Sequence, residues 1–129
     1  MRRLVLQVLL ADDETQVRAA LRLLLEQEAG LTVKGEAATV EELLSQTEMS
    51  PPDLILLDWE LSRLTEVDVV AALRMRGGRV HVIALSGRPE ARRAALSAGA
   101  DAFVSKSDPA ELLLAALDRY RHTGGEEQG

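Results

Sequence analysis

Three acids, a hydroxyl and an ammonium group stand where apolar runs give way to polar residues. Asp12 and Asp13 follow Leu4 to Leu10, Asp58 follows Leu54 to Leu57, Ser86 follows Val80 to Leu85, and Lys106 comes just after Ala102 to Val104. Alone, each has an ordinary use: the acids as caps or turns, Ser86-Gly87 as a turn, Lys106 as a solvated charge. Together they would make a specific chemistry. Clustered carboxylates repel, and one takes up a proton unless a cation is present. Oxygen ligands with no His or Cys nearby select a hard ion, here Mg²⁺ retaining several waters. Mg²⁺ beside a carboxylate suits phosphoryl transfer, in which the carboxylate attacks phosphorus and becomes an acyl phosphate. Lys106 would then act as a point charge on the transferring group, and Ser86 would donate to one of its oxygens.

Positioning these groups falls to alternating elements. Asp53-Leu54-Ile55-Leu56-Leu57-Asp58, preceded by Pro51-Pro52, is too short an apolar run for a typical helix and reads as a strand buried on both faces. Leu4 to Leu10 and Val80 to Leu85 read likewise, with shorter strands at 31–37 and 102–104. Helical spacing links them: Val17, Leu21, Leu24 and Leu25; Val40, Leu43 and Leu44 after the capping box Thr39-Val40-Glu41-Glu42; Val67 to Met75, stopped by Gly77-Gly78; Ala91 to Ala98; and Leu112, Leu113, Ala116, Leu117 and Tyr120. Asp108 is expected to cap the last helix, with Pro109 at its first position. The helix at 91–98 has Leu96 as its single large apolar residue and should be the least firmly docked. Five strands alternating with five helices imply an α/β fold with a doubly wound five-stranded parallel sheet and helices on both faces. Ligands of such sheets sit beyond the carboxyl ends of the strands, which is where the five polar groups fall. One domain over 1–121 and a flexible tail or linker over 122–129 are expected.

Composition narrows the function further. A net charge of −6 and a pI near 4.9 argue against nucleic-acid binding by this stretch, and with only Trp59, Phe103 and Tyr120 there is no stacking platform. No apolar run is long enough for a membrane span, and Asp12, Asp13 and Glu14 interrupt the signal-like start. The chain has no cysteine, which excludes thiol catalysis and a disulfide scaffold and fits a reducing, cytoplasmic location.

The segments Leu9-Leu10-Ala11-Asp12-Asp13-Glu14, Pro52 to Asp58, Leu85-Ser86-Gly87, Ala98-Gly99-Ala100-Asp101-Ala102-Phe103 and Val104-Ser105-Lys106 resemble the receiver domain of bacterial two-component response regulators. The likeness runs from Leu4 to Tyr120 and is greatest to the NarL/LuxR-type subgroup, through Gly35-Glu36-Ala37 and Lys106-Ser107. It implies a flavodoxin-like sheet of order 2-1-3-4-5 and Asp58 as the phosphoacceptor. It also implies Mg²⁺ held by Asp13, Asp58 and the Glu60 backbone carbonyl, with Asp12 acting through water. Ser86 and Phe103 take the places of the paired hydroxyl and aromatic switch, in which the hydroxyl moves to the phosphoryl group and the aromatic rotates inward. The implied partner is a sensor histidine kinase. Implied outputs are a homodimer through the fourth helix, fifth strand and fifth helix, or through the first and fifth helices, and a DNA-binding domain in a longer parent protein. Self-catalysed phosphotransfer and dephosphorylation are expected, with no turnover of an outside substrate.

One loop departs from the family pattern. Leu61-Ser62 replaces a Met-Pro pair and Glu66 replaces a glycine, so the loop either takes a different path or carries strain. Glu60 and Arg88, each two residues beyond a site residue, should pair over the mouth of the site, gate water and set the lifetime of the acyl phosphate. Two other readings remain open. An interaction module not switched by phosphate is motivated by the altered loop. An aspartyl phosphatase is disfavoured, because the first-strand acids are adjacent and no residues remain for a cap domain.

Overall fold

A computed structural model describes residues 5–126 of the 129-residue chain, and the side chains among them through Arg121. The uninterrupted apolar runs become the inner strands of the sheet, β1 (Leu6–Ala11), β3 (Leu54–Asp58) and β4 (His81–Ser86). The shorter, more mixed runs become its edges, β2 (Leu31–Ala37) and β5 (Ala102–Ser105). All pairings are parallel, in the order β2-β1-β3-β4-β5. The expected doubly wound α/β sheet is therefore present.

Alternation along the strands sends side chains to two cores. Leu9, Ala11, Ile55, Leu57, Val82 and Ala84 face α2 (Val40–Met49), α4 (Val69–Gly77) and α5 (Arg92–Ser97). Leu6, Val8, Leu10, Leu54, Leu56, Ile83 and Leu85 face α1 (Thr15–Glu26) and α6 (Ala110–Glu126). Parity along β2 is broken partway. Leu6, Gln7 and Val8 pair with Leu31, Thr32 and Val33, but Leu9 pairs with Gly35, so one residue is skipped. Leu31 and Val33 accordingly belong to the α1/α6 core while Ala37 belongs to the other.

Several boundaries and faces differ from the sequence reading. A short helix that the sequence did not announce, α3 (Trp59–Ser62), begins immediately after Asp58, whose carboxylate caps it by accepting the Glu60 N–H at 3.1 Å. The third expected helix begins at Val69, because Asp68 caps it through the Ala71 N–H (3.2 Å), which leaves Val67 in the preceding loop. Gly78, with φ of 66°, closes that helix as expected of a glycine stop. In the capping box of α2, Thr39 accepts the Glu42 N–H, while the Glu42 carboxylate reaches back to Ala38 rather than Thr39. Ala91 and Ala95 are what α5 and the turn before it bury, and Leu96 is 39% exposed. Small residues let this segment approach the sheet, so the larger neighbour is turned outward. Leu112, expected on the inner stripe of α6, is likewise half-exposed, and Leu113 and Leu117 carry the packing. Asp108 turns its carboxylate back to the Ser105 N–H (3.0 Å). The last helix extends to Glu126, past the boundary expected at residue 121, while Leu4 and residues 127–129 lie outside the described residues. No helix among the described residues is long and apolar enough to cross a membrane.

Candidate functional site

The carboxyl ends of β1, β3, β4 and β5 deliver the five polar groups to one crevice. Carboxylate oxygens of Asp12, Asp13 and Asp58 lie within 4.8 Å of one another. Asp12 and Asp58 are buried and Asp13 is exposed, so the pocket has a closed floor and an open side. Lys106 bridges the two buried acids, its Nζ 2.8 Å from Asp12 Oδ2 and 3.4 Å from Asp58 Oδ1. The main chain places it there, since the Lys106 N–H donates to the Ser86 carbonyl at 2.8 Å.

Electrostatics follow from this crowding. Burial, reinforced by the charge of Asp12, pushes the Asp58 carboxyl above its ordinary value, against the opposing pull of Lys106 and the Glu60 N–H. Burial alone would lower Lys106, but its hydrogen bond to Asp12 and the charges of Asp58 and Asp12 outweigh that and hold it above its usual range. An oxygen-only donor set of three acids, two of them short of solvent, fits a hard divalent cation.

Ser86 is fully buried at the end of β4, and its hydroxyl is already engaged. It donates to Glu60 Oε2 (2.8 Å) and accepts the Arg88 N–H (3.0 Å). The Glu60 carboxylate also pairs with Arg88 Nε at 3.2 Å and Arg63 NH1 at 3.3 Å. Glu60 and Arg88 thus meet as expected from their positions, but the same carboxylate holds the Ser86 hydroxyl, which the sequence did not indicate. Burial would raise Glu60, yet the donors Ser86 and Arg88 bring its carboxyl below the ordinary value.

The Glu60 carbonyl, the expected main-chain ligand, lies in the turn that follows Asp58. It accepts the Arg63 N–H at 3.2 Å within α3. Ser62 reinforces the turn, its hydroxyl donating to the Trp59 carbonyl at 2.7 Å. Glu66 is not strained: no described non-glycine residue has positive φ, so the loop takes a different path. Phe103 is buried in the core beneath α2, α4 and α5, paired with Ala84 across the sheet, and the Arg92 guanidinium lies 5.4 Å from its ring centroid.

One further residue reaches the acids, and a second holds it. Arg18 NH1 donates to the Asp12 carbonyl at 2.6 Å, and Arg18 Nε pairs with Glu36 at 2.9 Å. The apolar spacing of Val17, Leu21, Leu24 and Leu25 leaves Arg18 off the stripe, and the second strand supplies none of the five polar groups of the crevice. An acid at a strand end, opposite Arg18 and Arg22 at i and i+4, is the signal that was there to use.

Comparison with known proteins agrees with this geometry. Residues 8–118 match the family model described as the response regulator receiver domain. The nitrate/nitrite response regulator protein NarL of Escherichia coli (strain K12) is 34% identical over 112 residues, covering 85% of this chain and 52% of that one. A probable transcriptional regulatory protein, SgaR, of Hyphomicrobium methylovorum is 30% identical over 114 residues, covering 87% of this chain and 54% of that one. The chain thus spans about half the length of the curated relatives it matches. Among solved structures, a two-component response regulator of the LuxR family from Aurantimonas sp. SI85-9A1 superposes with a TM-score of 0.78 at 28% identity, over 90% of this chain and 85% of that one. The REC domain of AraT from Geobacillus stearothermophilus shares the fold, with a TM-score of 0.81 at 22% identity over 97% of this chain and 99% of that one. With a buried acid at the end of β3, two more beyond β1 and a lysine bridging them, the chain belongs to the receiver domains of two-component response regulators.

Proposed function

We propose that the chain is a phosphorylation-controlled switch that accepts a phosphoryl group on Asp58 from a sensor histidine kinase, with Mg²⁺ bound by Asp13 and Asp58 directly and by Asp12 through water. The observation that carries this reading is Lys106 bridging Asp12 and Asp58 at the open end of β3. A bound Mg²⁺ would neutralise the acids and the charge on the transferring group. Asp58 supplies the nucleophile: one carboxylate oxygen forms a bond to phosphorus as the P–N bond of a phosphohistidine breaks, and the departing imidazole takes up a proton. Lys106 offers its ammonium to a phosphoryl oxygen. Ser86 offers its hydroxyl to another once released from Glu60. The Glu60–Arg88 pair, joined to the Ser86 hydroxyl, would restrict water and lengthen the life of the acyl phosphate.

Movement of Ser86, followed by Phe103 behind it, would bias the surface of α5, β5 and α6 toward self-association or a partner. The first and last helices are the other candidate dimer face. On this reading the chain turns over no outside substrate and acts in the cytoplasm, either as a stand-alone receiver or with output through a further domain of a longer regulator.

Trp59 adjoins Asp58 and is buried, so its fluorescence reports on the site. Titrating Mg²⁺, then beryllofluoride, should change the emission in wild type and leave Asp58→Asn unresponsive to the fluoride. A wild type silent to both defeats the reading. A module not switched by phosphate is then favoured, for which the altered loop after Asp58, with Ser62 and Glu66, is the supporting observation.

A further inference from the structure

We infer that Arg18, held by Glu36, is a positioning residue for the cation pocket: it fixes the Asp12–Asp13 peptide so that the two carboxylates converge with that of Asp58. This rests on the proposed Mg²⁺ site and adds to it the pair that sets its geometry.

The Asp12–Asp13 peptide leaves β1 with no strand beyond it, and it is held on both sides. The Asp12 N–H donates to the Ala37 carbonyl at 3.0 Å, and the Asp12 carbonyl accepts from Arg18 NH1 at 2.6 Å. That carbonyl belongs to the peptide plane leading into Asp13, so its direction sets where the Asp13 side chain departs. Asp13 is exposed, so main-chain orientation is what brings it to the other acids.

Arg18 can do this because its planar fork is aimed by a second contact. Its Nε sits on Glu36 Oε1 at 2.9 Å, and the side chain is only 14% exposed. Glu36 is aimed in turn by the skipped residue in β2. Unbroken pairing from Val8↔Val33 would set Glu36 beside Ala11, on the α2 face of the sheet. With Lys34 skipped, Glu36 pairs with Leu10, whose side chain faces α1. Glu36 thereby meets both Arg18 and Arg22, the latter at 2.7 Å. Gln46 anchors the same turn by donating to the Glu36 carbonyl at 2.8 Å, an approach that a side chain at residue 35 would obstruct: a Cβ there would come within 2.8 Å of Gln46 Oε1.

Charge and position predict opposite results, which makes the inference testable. As a bare cation behind three acids, Arg18 would repel Mg²⁺, and its removal would tighten binding. As a positioning residue, its removal weakens binding, by about tenfold or more as for other outer partners of metal ligands. The experiment titrates Mg²⁺ into wild type, Arg18→Met, Arg18→Lys, Glu36→Gln and Asp13→Asn, reading Trp59 fluorescence, with a thermal melt of each. Arg18→Met is expected to raise the Mg²⁺ Kd about tenfold, and Arg18→Lys and Glu36→Gln about threefold, in protein that still melts cooperatively. A folded Arg18→Met with an unchanged or lower Kd overturns the inference alone. If Arg18→Met does not fold, Arg18→Lys decides by the same criterion. A wild type that binds no Mg²⁺, or an Asp13→Asn that binds it equally well, overturns the proposed site and this inference with it.

Discussion

Replacing Asp58 by asparagine should make the metal-free protein more stable. Asp58 has carboxylate neighbours Asp12 and Asp13 within 4.8 Å, and at an effective dielectric of ~20 two unit charges at that separation repel by about 3.5 kcal/mol. Lys106 at 3.4 Å returns about 5 kcal/mol on the same scale, leaving about 2 kcal/mol of repulsion before the cost of burying the charge. Asp13 is exposed and screened, which trims the repulsion, whereas desolvation of a carboxylate only 4% exposed adds to it. Asparagine keeps an oxygen for the Glu60 N–H that caps α3, so the fold loses little. The expected gain is about 1–3 kcal/mol, or roughly 4–10 °C in Tm for a domain of this size. The sign with pH follows from the raised Asp58 carboxyl. A carboxyl raised in the folded state costs nothing while protonated in both states, and its penalty appears as pH rises through the ordinary carboxylate range into the raised one. The advantage of Asp58→Asn should therefore be absent at pH 3, grow with pH and be fully present at neutrality. Mg²⁺ should close the gap, because the native wild type gains stability by binding it. Urea denaturation of both proteins in EDTA and in Mg²⁺, from pH 3 to 8, measures all of this. A variant no more stable than wild type in EDTA at neutral pH, or a gap indifferent to Mg²⁺, would refute the reasoning.

Other substitutions test separate links. Lys106→Met removes the cation from Asp12, only 1% exposed, and should cost about 2–3 kcal/mol in EDTA, partly restored by Mg²⁺; a loss unaffected by Mg²⁺ contradicts the shared pocket. Arg88→Ala opens the mouth and should shorten the half-life of the Asp58 phosphoryl group about three- to tenfold, equivalent to roughly 1 kcal/mol on the hydrolysis barrier. An unchanged half-life after loading with a small phosphodonor defeats that gating role. Glu66→Gly should destabilise by about 0.5–1 kcal/mol, since Glu66 already has ordinary backbone angles and glycine only frees the unfolded chain; a more stable variant would mean that the loop is strained after all.

The parts of the fold legible in the sequence were those driven by burial. Leu54 to Leu57 and Val80 to Leu85 leave no alternative to inner strands, and their polar ends then fall on one edge of the sheet. The acids, Ser86 and Lys106 were found because a strand end is a position that sequence spacing fixes. Contacts set by small geometric choices were less visible. The helix Trp59–Ser62 spans four residues, too few for periodicity, and rests on the Asp58 cap and the Ser62 hydroxyl. Leu96 and Leu112 were assigned inward by apolarity, yet Ala95 and Leu113 hold the neighbouring inward positions. Glu36 was hidden because strict alternation would have sent it to the other side of the sheet, and the residue skipped in β2 carries no Gly-Pro mark of its own.

Glu60 ties these observations to the switching chemistry. Its main chain and side chain are committed to different partners, the carbonyl to Arg63 within α3 and the carboxylate to Ser86 and Arg88. A backbone carbonyl has two lone pairs, so the bond from Arg63 leaves one that would be available to a cation bound beside Asp58. The Glu60 carboxylate holds the fully buried Ser86 hydroxyl, which on leaving Glu60 would need another acceptor, and under the proposed function a phosphoryl oxygen on Asp58 would be one. Glu60 would thus bear on the acid pocket and on the Ser86 hydroxyl through two different atoms, so a substitution there should affect both rather than metal affinity alone.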